Sequence, residues 1–389
     1  MDFKDLPKPF LVLAPMDDVT DVVFRRVVAS LALPDLFFTE FVNVDGLMSP
    51  GRPRLLKKLR FSEHDRPLIA QLWGLKPENF KAVAGQIADG SLAREICMLN
   101  DKTGSLHGDA AQGGREQQSE SYKEYGERVA ERANTAMRPK PGSLGDSVGQ
   151  QSQAVHTCPN FAGVDLNMGC PAKSEVQNGA CSALIKNRPL ALEIINATKE
   201  GFAGSAGQRM PLSVKTRVGF NEVDMTWIAF LLEQKLNMLT VHGRTRKQMS
   251  KVPADWELIG QASLLRDRIA PDTCIVGNGD VESRAQAEAL AAQYNLDGVM
   301  IGRGVFHDPY VFAKASEWAD KTREERIALY TKHVKLFHDT WQSGERPIYT
   351  LNKFCKIYIQ NFEGAKELRE QFMAATSSEQ LLEMLQNAH

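Results

Sequence analysis

The sequence predicts a closed (β/α)8 TIM barrel followed by a small C-terminal helical domain. Eight short, almost continuously apolar segments recur as far as Ile301, each ending in glycine, proline or a polar residue. Most are followed by a helical pattern, an alternation that implies a parallel sheet buried on both faces. No Gly-x-Gly-x-x-Gly follows any of them, which disfavours an open dinucleotide-binding sheet. Eight such units close into a barrel.

The first strand is Phe10–Ala14, stopped by Pro15, and the second is Leu36–Phe41. Pro67–Trp73 is the third, with a helix over about 78–88 behind it. Gly163–Asn167, the fourth, runs straight into Met168-Gly-Cys-Pro171. The fifth, Leu212–Arg217, alternates so that Lys215 and Arg217 share one face. Met238–His242, Cys274–Asn278 and Gly298–Ile301 complete the set. The connection into the fourth strand is anomalous. From about 103 to 157 it is rich in Gly, Ser, Gln and charge, with one helix suggested by Tyr122, Tyr125, Val129 and Ala133. It joins a helix to a strand, so it is expected to leave the barrel on the face opposite the chemistry. After Phe312 only helical spacing remains, in Ile327, Tyr330, Val334 and Phe337, then Phe354, Ile357, Tyr358 and Phe362, then Leu381–Leu385. The expected domains are therefore 1–316 and 317–389.

A chain of 389 residues can bury a full core without staples. Its net charge of −1 gives no global basic excess, although a local patch can still bind a polyanion. The six cysteines, at 97, 158, 170, 181, 274 and 355, lack metal-ligand spacing. They read as reduced thiols, with no metal centre. Met1–Pro9 has no apolar signal core, and no apolar run reaches the ~20 residues of a membrane span. A cytoplasmic protein without a membrane partner, and a monomer, is expected.

In a barrel of this kind chemistry is done at the C-terminal ends of the strands. Val276-Gly-Asn-Gly-Asp280 and Met300-Ile-Gly-Arg-Gly304 put glycines at the ends of strands seven and eight. There backbone N–H groups can approach a phosphate and Arg303 can add a charge-assisted bond. Tight turns alone could explain the glycines, but two glycine turns with an arginine at these strand ends favour a phosphate. Lys215 and His242 could stabilise negative charge on a bound group, or pair with barrel carboxylates. Gln71 offers an amide to a ring edge, or is a satisfied core amide. Cys170, in a loop just past a strand end and three residues after Asn167, reads as a reactive thiol rather than a small buried hydrophobe. It could act as a general acid or, with a lowered pKa, as a nucleophile. Three acid-free basic stretches could converge on the barrel mouth: Arg52, Arg54, Lys57, Lys58 and Arg60; Arg244, Arg246, Lys247 and Lys251; Arg346, Lys353 and Lys356. Together they favour a polyanionic partner.

Several motifs in this order resemble the tRNA dihydrouridine synthases. They are Leu13-Ala-Pro-Met-Asp-Asp-Val-Thr-Asp21 with Phe24-Arg25, Thr39-Glu-Phe41, Gln71, Asn167-Met-Gly-Cys-Pro171, Lys215-Thr-Arg217, Val241-His-Gly-Arg-Thr245, Asn278-Gly-Asp280 and Ile301-Gly-Arg-Gly304. The resemblance covers most of 10–313 apart from the long insertion. It implies an FMN-containing barrel, a helical tRNA-binding domain, and NADPH as the reductant. The flavin would deliver hydride to uracil C6 and Cys170 would protonate C5. By the same match Pro15, Met16 and Asp17 lie along the flavin, with Gln71, Lys215 and His242 at its ring. Asn278, Gly279, Asp280, Gly302 and Arg303 hold its phosphate, and Asn167 and Arg217 contact the uracil. Two departures stand out: Cys181, where many relatives have a small residue, and the insertion. Two other functions fit less of the sequence. A flavin-dependent reductase of a free pyrimidine needs neither the basic runs nor the helical tail. An inactive RNA-binding protein does not need Cys170, Lys215 and His242.

Overall fold

The computed structural model describes residues 1–103, 159–204, 210–341 and 344–388. The insertion read at about 103–157, with its helix, lies outside the described residues except for Thr103. Eight parallel strands form the barrel: β1 (Phe10–Leu13), β2 (Phe37–Phe38), β3 (Leu68–Trp73), β4 (Gly163–Met168), β5 (Leu212–Arg217), β6 (Met238–His242), β7 (Cys274–Asn278) and β8 (Gly298–Ile301). Each pairs with the next from β2 round to β8, and β8 pairs with β1. A bridge between Val12 and Leu36 closes the ring.

Period-two alternation divides the core. Phe10, Val12, Phe38, Ile69, Met238, Val276 and Met300 fill the barrel, with Phe3 packed among them. Leu11, Leu13, Leu68, Leu72, Val164, Leu166, Val214, Leu239, Val241 and Ile275 face the helices. Those helices are α1 (Val22–Leu31), α2 (Pro77–Ala88), α3 (Ser91–Thr103), α4 (Arg188–Ala203), α5 (Met225–Glu233), α6 (Trp256–Ile269) and α7 (Arg284–Tyr294). Several start on a side chain that accepts an otherwise unpaired N–H of the first turn: Asp21, Asn187, Asp224, Asp255 and Ser283.

The second strand departs from its expected length. Leu36–Phe41 is broken after Phe38, and pairing to β3 resumes at Val42–Asn43. The cause is Thr39. Its N–H still reaches Ile69 O, but its hydroxyl takes the Gln71 N–H at 3.1 Å and donates to Glu40 O at 2.7 Å. A side chain has replaced a rung of the ladder, and Glu40 turns toward the mouth.

Beyond the barrel lie α8 (Arg323–Thr340), α9 (Asn352–Tyr358), α10 (Ala365–Met373) and α11 (Ser378–Gln386). Thr322 and Glu325 form a reciprocal capping box at the start of α8. The anchors read from helical spacing are buried in α8, α9 and α11, except Phe362, which is half-buried beyond the end of α9. These helices dock on the barrel. Phe354 stacks on Phe24 of α1 at 5.0 Å. Arg346 reaches Asp21 at 3.2 Å and Glu40 at 3.4 Å. Arg60 pairs with Glu345 at 2.8 Å.

One expectation about the cysteines fails: Cys97 is disulfide-bonded, while Cys170, Cys181, Cys274 and Cys355 are free thiols. Among the described residues no helix is long and apolar enough to cross a membrane.

Candidate active site

The inward positions at the C-terminal strand ends carry a polar ring. In β3 to β7 these are Gln71, Asn167, Lys215, Arg217, His242 and Asn278. Register sets Asn167 beside Lys215, Arg217 beside His242, and His242 beside Asn278. The side of the ring formed by Lys215, His242 and Asn278 opens into a cavity of about 330 Å³. Pro15, Met16, Lys215, His242, Asn278, Gly279, Asp280, Gly302 and Arg303 line it, together with Ala14, Arg244, Glu282, Met300 and His307. Of the residues expected to hold a cofactor, only Asp17 and Gln71 lie off its wall. Asp17 is exposed and pairs with Lys58. Gln71 is buried, donating to Asp165 at 2.8 Å and accepting from Asn167 at 3.2 Å.

The cavity wall is electropositive. Burial first, then the charge of Arg217 nearby, lowers Lys215 to about 8, against the opposing charge of Asp165. Burial, with Lys215, Arg217, Arg244 and Arg303 around it, holds His242 well below the usual imidazole value, so the ring is neutral. Arg244 Nη1 lies 2.9 Å from His242 Nε2. A guanidinium can only donate, so Nε2 accepts and the ring proton sits on Nδ1. Asp280 accepts from Arg244, from the Ala254 N–H at 2.9 Å and from Arg303 at 3.0 Å. Burial pushes its carboxyl up, but these partners outweigh it and hold it below the usual value. Asp280 therefore anchors the two arginines, and the anion-attracting groups are the cations and the backbone around it. Gly279 has φ +136°, and a Cβ there would stand 2.5 Å from Ala254 Cβ and 3.3 Å from the His242 ring. Both conformation and space require glycine at that point.

The loop after β4 is pinned from two sides. Asn167 Oδ1 accepts the N–H of Gly169 at 3.1 Å and of Cys170 at 2.9 Å. Arg217 Nε donates to Gly169 O at 2.9 Å, and its Nη1 bridges to Thr245 O and Met249 O. Asn167 Oδ1 and the single donation from Arg217 Nε thus hold this loop, while Nη1 of Arg217 ties it to the segment after β6. Cys170 is half-buried at the mouth, and its carbonyl accepts the Ser182 N–H at 3.3 Å. A hydrogen bond from the Cys181 thiol lowers the Cys170 pKa despite burial, while Cys181 itself is raised well above the usual value. Cys181 has φ +53°, a backbone that explains why a small residue suits the position.

The basic stretches are not a free cationic stripe. Arg52 pairs with Glu95, Lys58 with Asp17, Arg60 with Glu345, Arg244 with Asp280, and Arg346 with Asp21 and Glu40. Lys57 and Lys247 lie 3.7 Å from Glu345 and Glu222, and Lys353 donates to Asp18 O. Arg54, Arg246, Lys251 and Lys356 make no ion pair with another described residue. The acids lie far along the chain, so a local scan did not see them. Sequence reading also missed Asp165, although alternation puts it on the same inward face as Asn167.

Comparison with known proteins adds one finding. Residues 12–98 and 145–389 match the family model described as "Dihydrouridine synthase (Dus)". A "Probable tRNA-dihydrouridine synthase" of Staphylococcus aureus (strain COL) is 37% identical over 378 residues, 96% of this chain and 92% of that one. A "Probable tRNA-dihydrouridine synthase 2" of Bacillus subtilis (strain 168) is 36% identical over 387 residues, 98% of this chain and 95% of that one.

Proposed function

The chain belongs to the dihydrouridine synthase family, and on that premise we propose that it reduces a uridine of tRNA to dihydrouridine, with FMN as cofactor and NADPH as reductant. The observation that carries this reading is a glycine-walled cavity lined by Lys215, His242 and Arg303, with a half-buried thiol, Cys170, in the loop after β4, close enough for its charge to act on Lys215. The residues present fit a flavin nucleotide. The cavity volume falls in the ~300–1,000 Å³ range of small-molecule sites. Gly279 leaves room that any Cβ would fill, and Arg303 with the glycine turns suits a phosphate. Lys215 and the Nδ1–H of neutral His242 suit the polar edge of the ring. When bound, the flavin, reduced by NADPH, supplies hydride to uracil C6.

The chain's own residues do the rest. Asn167 and Arg217 hold the Cys170 loop against the mouth, and Arg217 is suited to bring the uracil to it. The Cys170 thiol gives its proton to C5, and the donor from Cys181 stabilises the thiolate left behind. Lys215, with a pKa near 8, is charged at neutral pH and offsets negative charge beside it. The helices after Thr322 and the cations Arg54, Arg246, Lys251 and Lys356, which make no ion pair among the described residues, are candidates to receive the tRNA backbone, in the cytoplasm. The purified protein is expected to carry FMN and to form dihydrouridine in tRNA supplied with NADPH. Protein that holds FMN but leaves every tRNA uridine unchanged overturns this reading.

Arg303→Ala tests the phosphate assignment. The side chain is more than half exposed and shared with Asp280, so its loss should leave the fold intact. A lost charge-assisted bond corresponds to about 1.5–3 kcal/mol of FMN affinity. Titration of the apoprotein with FMN measures it, and an unchanged Kd removes Arg303 from the site.

A further inference from the structure

We propose that Asp165 is a positioning residue for the Cys170 thiol, because it sets the direction of a buried hydrogen-bond chain that ends on the backbone of the Cys170 loop. The proposal rests on the reading of Cys170 as proton donor. Asp165 is fully buried inside the barrel. Ser213 Oγ donates to its Oδ1 at 2.6 Å, and Gln71 Nε2 donates to its Oδ2 at 2.8 Å. Gln71 Oε1 accepts from Asn167 Nδ2 at 3.2 Å, and Asn167 Oδ1 accepts from the N–H groups of Gly169 and Cys170.

The direction matters because each amide has two different ends. An ionised carboxylate has no proton to give. It therefore takes the amino end of Gln71, which turns the Gln71 oxygen to Asn167. Asn167 must then present its amino end to Gln71 and its oxygen to the loop. If the amides reverse, an amino group faces two backbone N–H groups, and the loop loses both bonds. An unmatched buried donor costs about 1–3 kcal/mol, enough to move the loop instead. The acceptor-only group is thus two side chains away from the backbone it orders.

The chain also has a pH signature. Burial raises Asp165 to about 6, against the hydrogen bonds of Ser213 and Gln71 and the charge of Lys215, the cation that faces it. Above that pH the carboxylate only accepts. Below it the carboxyl can donate, and control of direction is lost. The groups around Cys170 itself are the Cys181 thiol, Glu175, Asp17, Lys215 and Arg217.

The test uses the full-length holoprotein. Iodoacetamide labelling of Cys170 is followed against pH by peptide mass spectrometry, and reoxidation of the reduced protein by tRNA is timed alongside. Asp165→Asn is isosteric but has an amino end, so the chain can run backwards. We expect it to lose the inflection near pH 6 in the labelling profile, and to slow reoxidation by about 10²-fold, the scale of a small misplacement. The double variant Asp165→Asn/Gln71→Glu returns an acceptor-only group to Asn167 and should recover about tenfold of that loss. A folded Asp165→Asn protein whose labelling profile superposes on wild type overturns the proposal, as does a double variant no better than the single one. If Asp165→Asn does not fold, Gln71→Met cuts the next link and is read the same way. Labelling needs no tRNA, so a wild-type protein inert toward tRNA would sink the proposed function and leave this result to stand or fall separately.

Discussion

Cys170→Ala is expected to leave FMN binding and reduction by NADPH intact while slowing reoxidation by tRNA about 10²–10⁴-fold, the usual contribution of a general acid. Hydride arriving at C6 leaves enolate character at C5, which needs a proton from the other side of the ring. Cys170 is placed to give it. Its loop is tied by Asn167 and, through Gly169, by Arg217. The Cys181 thiol lowers its pKa, so the proton leaves more readily than from a free thiol, and Cys181, raised well above its usual value, stays protonated as donor. Neither contact is with the nicotinamide half-reaction. Stopped-flow absorbance of the flavin separates the two halves. A variant that reoxidises on tRNA at the wild-type rate would show that another group protonates C5.

Arg25→Ala should destabilise the fold by about 3–5 kcal/mol, the cost of leaving a buried charge without its partner. Arg25 and Asp65 are both fully buried and meet at 2.7 Å. The guanidinium also donates to Thr20 O and Arg60 O, each at 2.6 Å. It therefore ties α1 to the segment between β2 and β3, where Asp65 in turn accepts from the Ser62 N–H and hydroxyl. Arg25→Lys keeps the charge but cannot reproduce the fork, and should lie between the two. Urea unfolding at neutral pH measures both. A loss below about 1 kcal/mol for Arg25→Ala, the scale of an exposed pair, would mean that Asp65 finds another partner.

The barrel was legible because its evidence is local. Each strand carries its own apolar run, and the glycine turns after β7 and β8 are contiguous in sequence. Leu36–Phe41 misled because Thr39 is a good strand residue by composition. Only the position of Gln71 on the next strand lets its hydroxyl replace a ladder bond. The inward ring could be read from alternation, which gave Lys215 with Arg217. The Asp165–Gln71–Asn167 chain could not, since it depends on the register that sets Gln71 beside Asp165. The basic stretches failed as a reading of free charge for the same reason. Arg346 meets Glu40 across 306 positions of chain, and Arg60 meets Glu345 across 285. Acid-free runs in sequence are not acid-free in space.

The most direct test mixes the NADPH-reduced holoprotein, without oxygen, with an unmodified tRNA transcript. The flavin should reoxidise in step with the appearance of one dihydrouridine per flavin, and free uridine monophosphate at the same concentration should do little. Rapid reoxidation by the free nucleotide with none by tRNA would contradict the account and mark the protein as a reductase of free pyrimidines.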